Sequence, residues 1–326
     1  MCNQKVRWGI VGPGVIAHEF ADDFAHVTNA QVVAVASRSK ARAQQFAQKY
    51  GIAKVYDSYD ALFADAEVDA VYVATPHTHH LVQSTQALQS GKAVLCEKPI
   101  TTNPSELQQL LQVANSTGNY LIEGMWTYFL PVFGKVQQWI NEGRLGTICH
   151  VKADFGYPKP YNPNERIYDP NLAGGCLLEM GIYTIAMAWL VYRKDPSQMH
   201  VIAQHAPNGV EVDVSMQFGY QQNGQQAMAQ LATAFRCKLN NWTYIIGDKG
   251  YVAIPDFWRA RECFFFEEER IVEHYQDNRK GHGFEFEIEA VSRDILEGRT
   301  QSALVPHSYS LKFQEHMHQV KLNMKH

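Results

Sequence analysis

The stretch KVRWGIVGPGVIAHEFADDF, at the start of the chain, passes from a continuous apolar run into a helical rhythm across two glycines and a proline. Val6 to Val11 reads as a buried strand, and Ile16, Phe20 and Phe24 mark one face of a helix. The alternation recurs through the first third. Gln31–Ser37, Val68–Ala74 and Ala93–Glu97 have the Val- and Ala-rich character of strands covered on both faces. The helical segments Lys40–Tyr50 and His79–Ser90 are followed by Gly51 and Gly91. Asn103-Pro104-Ser105-Glu106 supplies a capping residue, a first-turn proline and a glutamate three positions after the cap. Strand–helix alternation of this kind implies a parallel sheet with helices on both faces.

After about Glu123 the pattern changes. A helix over Pro131–Glu142 stops at Gly143, a Pro-, Tyr- and Asn-rich loop covers Gly156–Asn171, and a strongly apolar helix spans Gly175–Tyr192. VEVDVSMQFGY, AMAQLATAFRC, WTYIIGDKGYVAIP and ECFFFEEERIV then follow with no helix between them, the pattern of a largely antiparallel sheet. Short helices near Phe284–Glu297 and His307–Val320 close the chain. The expected fold is an α/β Rossmann domain with a parallel doubly wound sheet, residues 1–123. An α+β domain with a large, mainly antiparallel open sheet follows, residues 124–326.

Composition narrows the function classes. The 326 residues are 46% hydrophobic and 19% charged, as in an ordinary soluble protein. A net charge of -4 leaves no basic footprint for nucleic acid. No apolar run approaches the roughly 20 residues that span a bilayer, and the longest, Ile185–Tyr192, reads as a buried helix. The amino terminus lacks a basic region followed by an apolar core. The six cysteines, Cys2, Cys96, Cys149, Cys176, Cys237 and Cys263, form no C-x-x-C pair. The expectation is a cytoplasmic protein with free thiols and no membrane partner.

Gly12-Pro13-Gly14-Val15-Ile16-Ala17 fits G-x-G-x-x-G/A between a strand and a helix. The first glycine permits the tight turn, the second lets a pyrophosphate approach the backbone, and the small third residue lets helix and strand pack. Free N–H groups at the helix start then face the phosphates. After the second strand the sequence is Ser37, Arg38, Ser39, Lys40, with no acid to bind a ribose hydroxyl. An arginine there suits a 2′-phosphate, so NADP is favoured over NAD.

VYVATPHTHHLVQSTQALQSGKAVLCEKPI resembles the core signature of the glucose-fructose oxidoreductase/inositol dehydrogenase (Gfo/Idh/MocA) family, whose hallmark is a Glu-Lys-Pro tripeptide, here Glu97-Lys98-Pro99. The resemblance continues through EGMWTYFLP, ADFGY, GGCLLEMGIYTIAMAWL, IIGDKGYVAIPDFW and GRTQSALVPHSYSL, nearly the whole chain. EGMWTYFLP and EMGIY point to the branch of dimeric dihydrodiol dehydrogenases and NADP-dependent D-xylose dehydrogenases. It implies an active site between two domains, and an oxidoreductase moving hydride between a sugar or vicinal diol and a nicotinamide. Assembly as a homodimer through the carboxyl-terminal sheet is implied as well. The family's Asp, with a His four residues later, corresponds to Glu179 and Tyr183; tyrosine matches the dihydrodiol branch, whereas glutamate departs from it.

Lys98, Tyr183 and Glu179 are therefore the catalytic candidates, with either Lys98 or Tyr183 carrying the proton. A carboxylate in an apolar helix needs a partner, and Lys98 is the obvious one. Thr75, Pro76 and His80 are expected on the nicotinamide side of the cofactor, beside Glu97 and Lys98. Trp126, Phe155 and Tyr157 are candidate pocket walls. His77, His79 and His80 lack a convincing set of further metal ligands, so no metal is expected. Two other readings stay open: an enzyme that uses its dinucleotide transiently to hydrolyse glycosides, and an NADP-binding sensor without turnover.

Overall fold

The computed structural model describes residues 4–222 and 224–324. The chain forms two compact units, Met1–Phe129 with Arg279–Leu311, and Leu130–Asn278 with Lys312–His326.

In the first unit, β1 (Val6–Val11), α1 (Val15–Asp22), β2 (Ala30–Ala36), α2 (Lys40–Tyr50) and β3 (Lys54–Tyr56) are followed by α3 (Tyr59–Phe63) and β4 (Ala70–Val73). Then come α4 (His80–Gln89), β5 (Ala93–Glu97), α5 (Pro104–Thr117) and β6 (Leu121–Gly124). The six strands are all parallel and ordered β3-β2-β1-β4-β5-β6. The order reverses between β1 and β4, and ligands of such sheets bind outside the carboxyl ends of the strands at that point. The expected helix signals work as read. Gly51 ends α2 at φ 67°, and the Asn103 side chain accepts the Glu106 N–H at the start of α5. β3 and β6, which no pattern announced, are three and four residues long and lean on β2 and β5.

The second unit holds α6 (Pro131–Asn141), β7 (Ile148–Gly156), α7 (Ile182–Tyr192) and a run of strands, β8 (Gln198–His205), β9 (Glu211–Gln222), β10 (Gln225–Ala234), β11 (Trp242–Gly247), β12 (Tyr251–Pro255), β13 (Glu262–Glu267) and β14 (Arg270–Gln276). They make one sheet ordered β14-β13-β12-β11-β7-β10-β9-β8, antiparallel everywhere except between β7 and β10. Gly175–Tyr192 is not one α-helix as expected: a π-helical turn, Leu177–Gly181, precedes α7. The stretch Pro170–Tyr192 is long and apolar enough to cross a bilayer by composition, but 89% of its apolar window is buried in the fold. Cys96, Cys149, Cys176, Cys237 and Cys263 carry free thiols, and Cys2 lies outside the described residues.

Two helices close the chain, α8 (Phe284–Leu296) and α9 (His307–Asn323). Asp23 fixes α8 within the first unit. Its carboxylate accepts the backbone N–H groups of His282, Gly283, Phe284 and Glu285 at 2.8, 2.9, 2.7 and 3.2 Å, the orphan donors of a helix start. Burial works to raise the Asp23 carboxyl, but these bonds and a shared one with Glu285 outweigh it and lower it. Glu285, raised mainly by burial, is the partner that keeps the proton. A lowered native value means that Asp23 contributes stability above the unfolded value of about 3.9, lost as pH falls through the native value. Asp23→Ala strands buried donors and is expected to cost about 1–3 kcal/mol in urea unfolding. An unchanged midpoint would show that α8 is held by its apolar face alone.

Candidate active site

The carboxyl ends of β1, β2, β4 and β5 present the expected cofactor residues together. Gly12 has φ 86°, and a Cβ there would lie 2.7 Å from the Thr75 methyl. A positive φ and a close neighbour both demand glycine at that point. Gly14 differs: its φ is -91°, and nothing lies within 4 Å of where its Cβ would be. The space over it is open, Val15 beside it is 82% exposed, and no side chain caps α1. The packing of the fold therefore does not require glycine at position 14. Pro13 and Ile16 complete the turn. After β2, Ser37 is buried and its Oγ accepts the Ser39 N–H at 3.2 Å, while Arg38 and Lys40 are exposed. Arg38 reaches the Tyr59 side chain. An open cradle at a helix start with cationic side chains after β2 fits a dinucleotide phosphate chain.

Lys98 follows β5 directly, and ionisable side chains hold its turn. Glu97 accepts the Lys98 N–H at 3.3 Å, and its other oxygen takes the Tyr72 hydroxyl. Glu123 on β6 accepts the Ile100 N–H at 2.9 Å. His80, at the start of α4, lies 2.9 Å from the Pro99 carbonyl and 2.8 Å from the Thr75 carbonyl. The Lys98–Pro99 peptide is cis. Thr75 Oγ1 also donates to Gln83 at 2.5 Å. Burial pushes the Glu123 carboxyl up to about 7, against the pull of Ser310, Ile100 and Lys98. On α8, Glu287 is fully buried with both oxygens unpaired. Burial, with the Glu97 charge, drives its carboxyl well up from the ordinary carboxylate value. Trp126 belongs to this unit and stacks on Phe284 with centroids 4.4 Å apart.

Tyr183 and Glu179 lie in the second unit. Glu179 sits in the π-turn, a feature often found at functional sites. Its carboxylate is gripped by Arg166 Nη2 at 3.0 and 2.9 Å. Arg166 comes from the loop before the helix, a partner that the sequence reading did not anticipate. Gly174 and Gly175 let that loop fold back: a Cβ on Gly174 would sit 2.6 Å from the Ile167 carbonyl oxygen, and one on Gly175 2.2 Å from the Glu211 carboxylate. Tyr183 is 5% exposed and edge-on to Phe155 at 5.6 Å. Phe155 stacks on Trp258 at 4.1 Å and meets Tyr157 edge-on at 6.0 Å. Phe155, Tyr157 and Tyr183 thus form one aromatic cluster, to which the structure adds Trp258. Among the described residues no group of three or more His, Cys, Asp or Glu side chains is placed to hold a metal.

The family model described as an oxidoreductase family with an NAD-binding Rossmann fold matches residues 6–125, and the GFO/IDH/MocA C-terminal domain matches 133–253. Trans-1,2-dihydrobenzene-1,2-diol dehydrogenase of Danio rerio is 32% identical over 317 residues, covering 94% of this chain and 92% of its own. The Homo sapiens protein of that name is 31% identical over 314 residues, covering 94% and 92%. KijD10, a 3-ketoreductase from Actinomadura kijaniata solved with NADP, is 25% identical with a TM-score of 0.86 over 98% of both chains. Aldose-aldose oxidoreductase from Caulobacter crescentus, at 21% identity, shares the fold with a TM-score of 0.90 over 99% of this chain and 98% of its own.

The two glycines are separable by experiment. Gly14→Val is expected to leave the melting temperature within a few degrees of wild type while abolishing dinucleotide binding in a fluorescence titration. Gly12→Val should lower both, because its backbone and Thr75 exclude a side chain. Unimpaired binding by Gly14→Val would remove the phosphates from this turn.

Proposed function

Since the chain belongs to the Gfo/Idh/MocA oxidoreductase family, we propose that it is an NADP-dependent dehydrogenase of vicinal diols or sugars, working as a cytoplasmic homodimer. In this reading residues 1–123 hold the cofactor, and residues 124–326 supply the substrate pocket and the dimer face. The observation that carries it is the lysine turn at the mouth of a dinucleotide fold. Lys98 stands at the carboxyl end of β5, its backbone fixed by Glu97 and Glu123, on the same edge of the parallel sheet as the open turn that follows β1 at Gly12 and Gly14. The diol dehydrogenase relatives, matched over 94% of the chain, support the diol class, and the sugar enzymes of like fold support the alternative of an aldose.

The nicotinamide, when bound, takes or gives the hydride. The protein must hold the alcohol carbon in place and manage one proton. Gly12, Pro13, Gly14, Val15 and Ile16 hold the pyrophosphate; Ser37, Arg38 and Lys40 receive the 2′-phosphate; Thr75, Pro76, His80 and Glu97 shape the nicotinamide end. Tyr183 moves the proton at the substrate oxygen. A free tyrosine titrates at about 10, and the cationic Lys98 stabilises the developing alkoxide. Arg166 holds the Glu179 carboxylate steady in the π-turn, so glutamate's longer arm is set by a salt bridge. Phe155, Tyr157 and Trp258, one cluster within the second unit, provide apolar walls for the carbon frame of a diol.

The dimer face is the side of the large sheet opposite α7. Trp242, Tyr244, Ile246, Tyr251, Phe264 and Phe266 alternate with fully buried neighbours and remain partly exposed on that side. Cross-strand register brings them together, Tyr251 stacking on Phe266 at 4.5 Å. An aromatic stripe of this breadth on an open sheet calls for cover. Tyr244→Glu combined with Phe264→Glu is expected to halve the mass measured by light scattering at micromolar concentration. A wild-type protein already monomeric there would contradict the dimer.

Assays of arene trans-dihydrodiols, polyols and aldoses with NADP test the activity. With a good substrate, Tyr183→Phe keeps the ring and removes the transferable proton, so kcat should fall by about 10²–10⁴-fold with NADP affinity nearly unchanged. Near-normal kcat in that variant would pass the proton role to Lys98. Arg38→Ala should raise the dissociation constant for NADP and leave that for NAD almost untouched; equal loss for both would show that Arg38 does not read the 2′-phosphate.

A further inference from the structure

His80 is completely buried, and its two ring nitrogens face two different loops. Nδ1 lies 2.9 Å from the carbonyl oxygen of Pro99, within the turn that carries Lys98. Nε2 lies 2.8 Å from the carbonyl oxygen of Thr75, in the loop after β4. A carbonyl oxygen can only accept a hydrogen bond, and a neutral imidazole has one N–H and one bare lone pair. In either neutral tautomer, one of these contacts would set a lone pair against an oxygen and leave a buried acceptor unmatched, a costly arrangement. Both contacts are hydrogen bonds only when both nitrogens carry hydrogen.

We propose that His80 is held as an imidazolium and acts as a positioning residue, its two N–H groups tying the Lys98 turn to the Thr75–Pro76 loop. Charge-assisted bonds are roughly twice as strong as neutral ones, and two of them act against the cost of burying the charge. The groups around it are compatible. His77, on the same segment, meets it edge-on with ring centroids 5.7 Å apart. The Cys96 thiol on β5, driven well up by burial, is neutral. Glu97 and Glu123 bind the same turn through the Lys98 and Ile100 N–H groups, Glu123 with its carboxyl pushed up to about 7 by burial. An amide side chain cannot replace the imidazolium, because it donates from a single nitrogen and reaches one loop only. The consequence for turnover rests on Lys98 being part of the proposed dehydrogenase machinery; the protonation state rests on the geometry alone.

The sign of the pH dependence follows. A group charged more readily in the native state contributes its stability fully below the unfolded imidazole value of about 6.5 and loses it as pH rises through the native value. Imidazole nitrogen-15 spectra of the labelled wild-type protein read the charge directly. His80 is identified by the signal that His80→Gln removes, or, should that variant not fold, by sequential assignment of the labelled chain. The expected result is two protonated nitrogens on His80 at a pH where exposed histidines have become neutral. Thermal melts give a second readout, in which the wild type's margin over His80→Gln shrinks as pH rises above neutrality. In turnover, His80→Gln should lose up to about 100-fold in kcat, the scale of a misplaced catalytic group. One protonated and one bare nitrogen on His80 at neutral pH would overturn the proposal. An imidazolium signal in a protein that oxidises no diol or sugar would uphold it and refute the functional reading instead.

Discussion

Strand β5 ends inside a sheet covered on both faces, yet it must deliver a cationic side chain to the sheet's edge. The backbone of the turn at Lys98, Pro99 and Ile100 leaves the ladder there, and its polar groups cannot stay unmatched in the interior. Side chains from three neighbouring elements match them: Glu97 at the end of β5 takes the Lys98 N–H, His80 on α4 reaches the Pro99 carbonyl, and Glu123 on β6 takes the Ile100 N–H. Behind them Tyr72 on β4 holds Glu97 and stacks on Phe20 at 3.7 Å. The placement of Lys98 therefore depends on a connected set of buried ionisable groups, and so does everything asked of it chemically. A half-satisfied network of this kind is worse than an apolar core, which explains why removing one member should cost more than one bond.

The cofactor end is built on the opposite principle. At Gly12 the chain needs a left-handed backbone and yields space to Thr75, so the fold dictates the residue. At Gly14 the fold dictates nothing, and no atom lies within 4 Å of the place a Cβ would take. A motif of two glycines thus contains one position that the fold fixes and one that it leaves open, a distinction visible only once the neighbours are in place.

The parallel sheet, its crossing helices and the turn at Gly12-Pro13-Gly14 were legible because they depend on local signals: continuous apolar runs, capping residues and glycine C-caps. Phe155, Tyr157 and Tyr183 were singled out through family resemblance, and their rings form one cluster. What escaped were features set by distant partners. Arg166 lies in a loop whose pattern does not point to Glu179, and the π-turn that carries Glu179 shows no signal in an apolar run. The pairing of Asp23 with the start of α8 joins residues about 260 positions apart, beyond any window of periodicity. Strand β7 alternates poorly, Ile148 and Val151 being buried while His150 and Lys152 are not, and it was missed despite forming the centre of the large sheet.

Hydride transfer itself is the claim on which the account stands. A trans-dihydrodiol or aldose carrying deuterium on the carbinol carbon, incubated with the protein and NADP, provides the most direct measurement. The account predicts that deuterium appears on the reduced nicotinamide in equal amount to the ketone or lactone formed, detected by mass spectrometry. It also predicts a rate slowed relative to the unlabelled alcohol. Bound NADP with no label transferred from any diol or sugar, or hydrolysis of a glycoside with no net reduced dinucleotide, would contradict it.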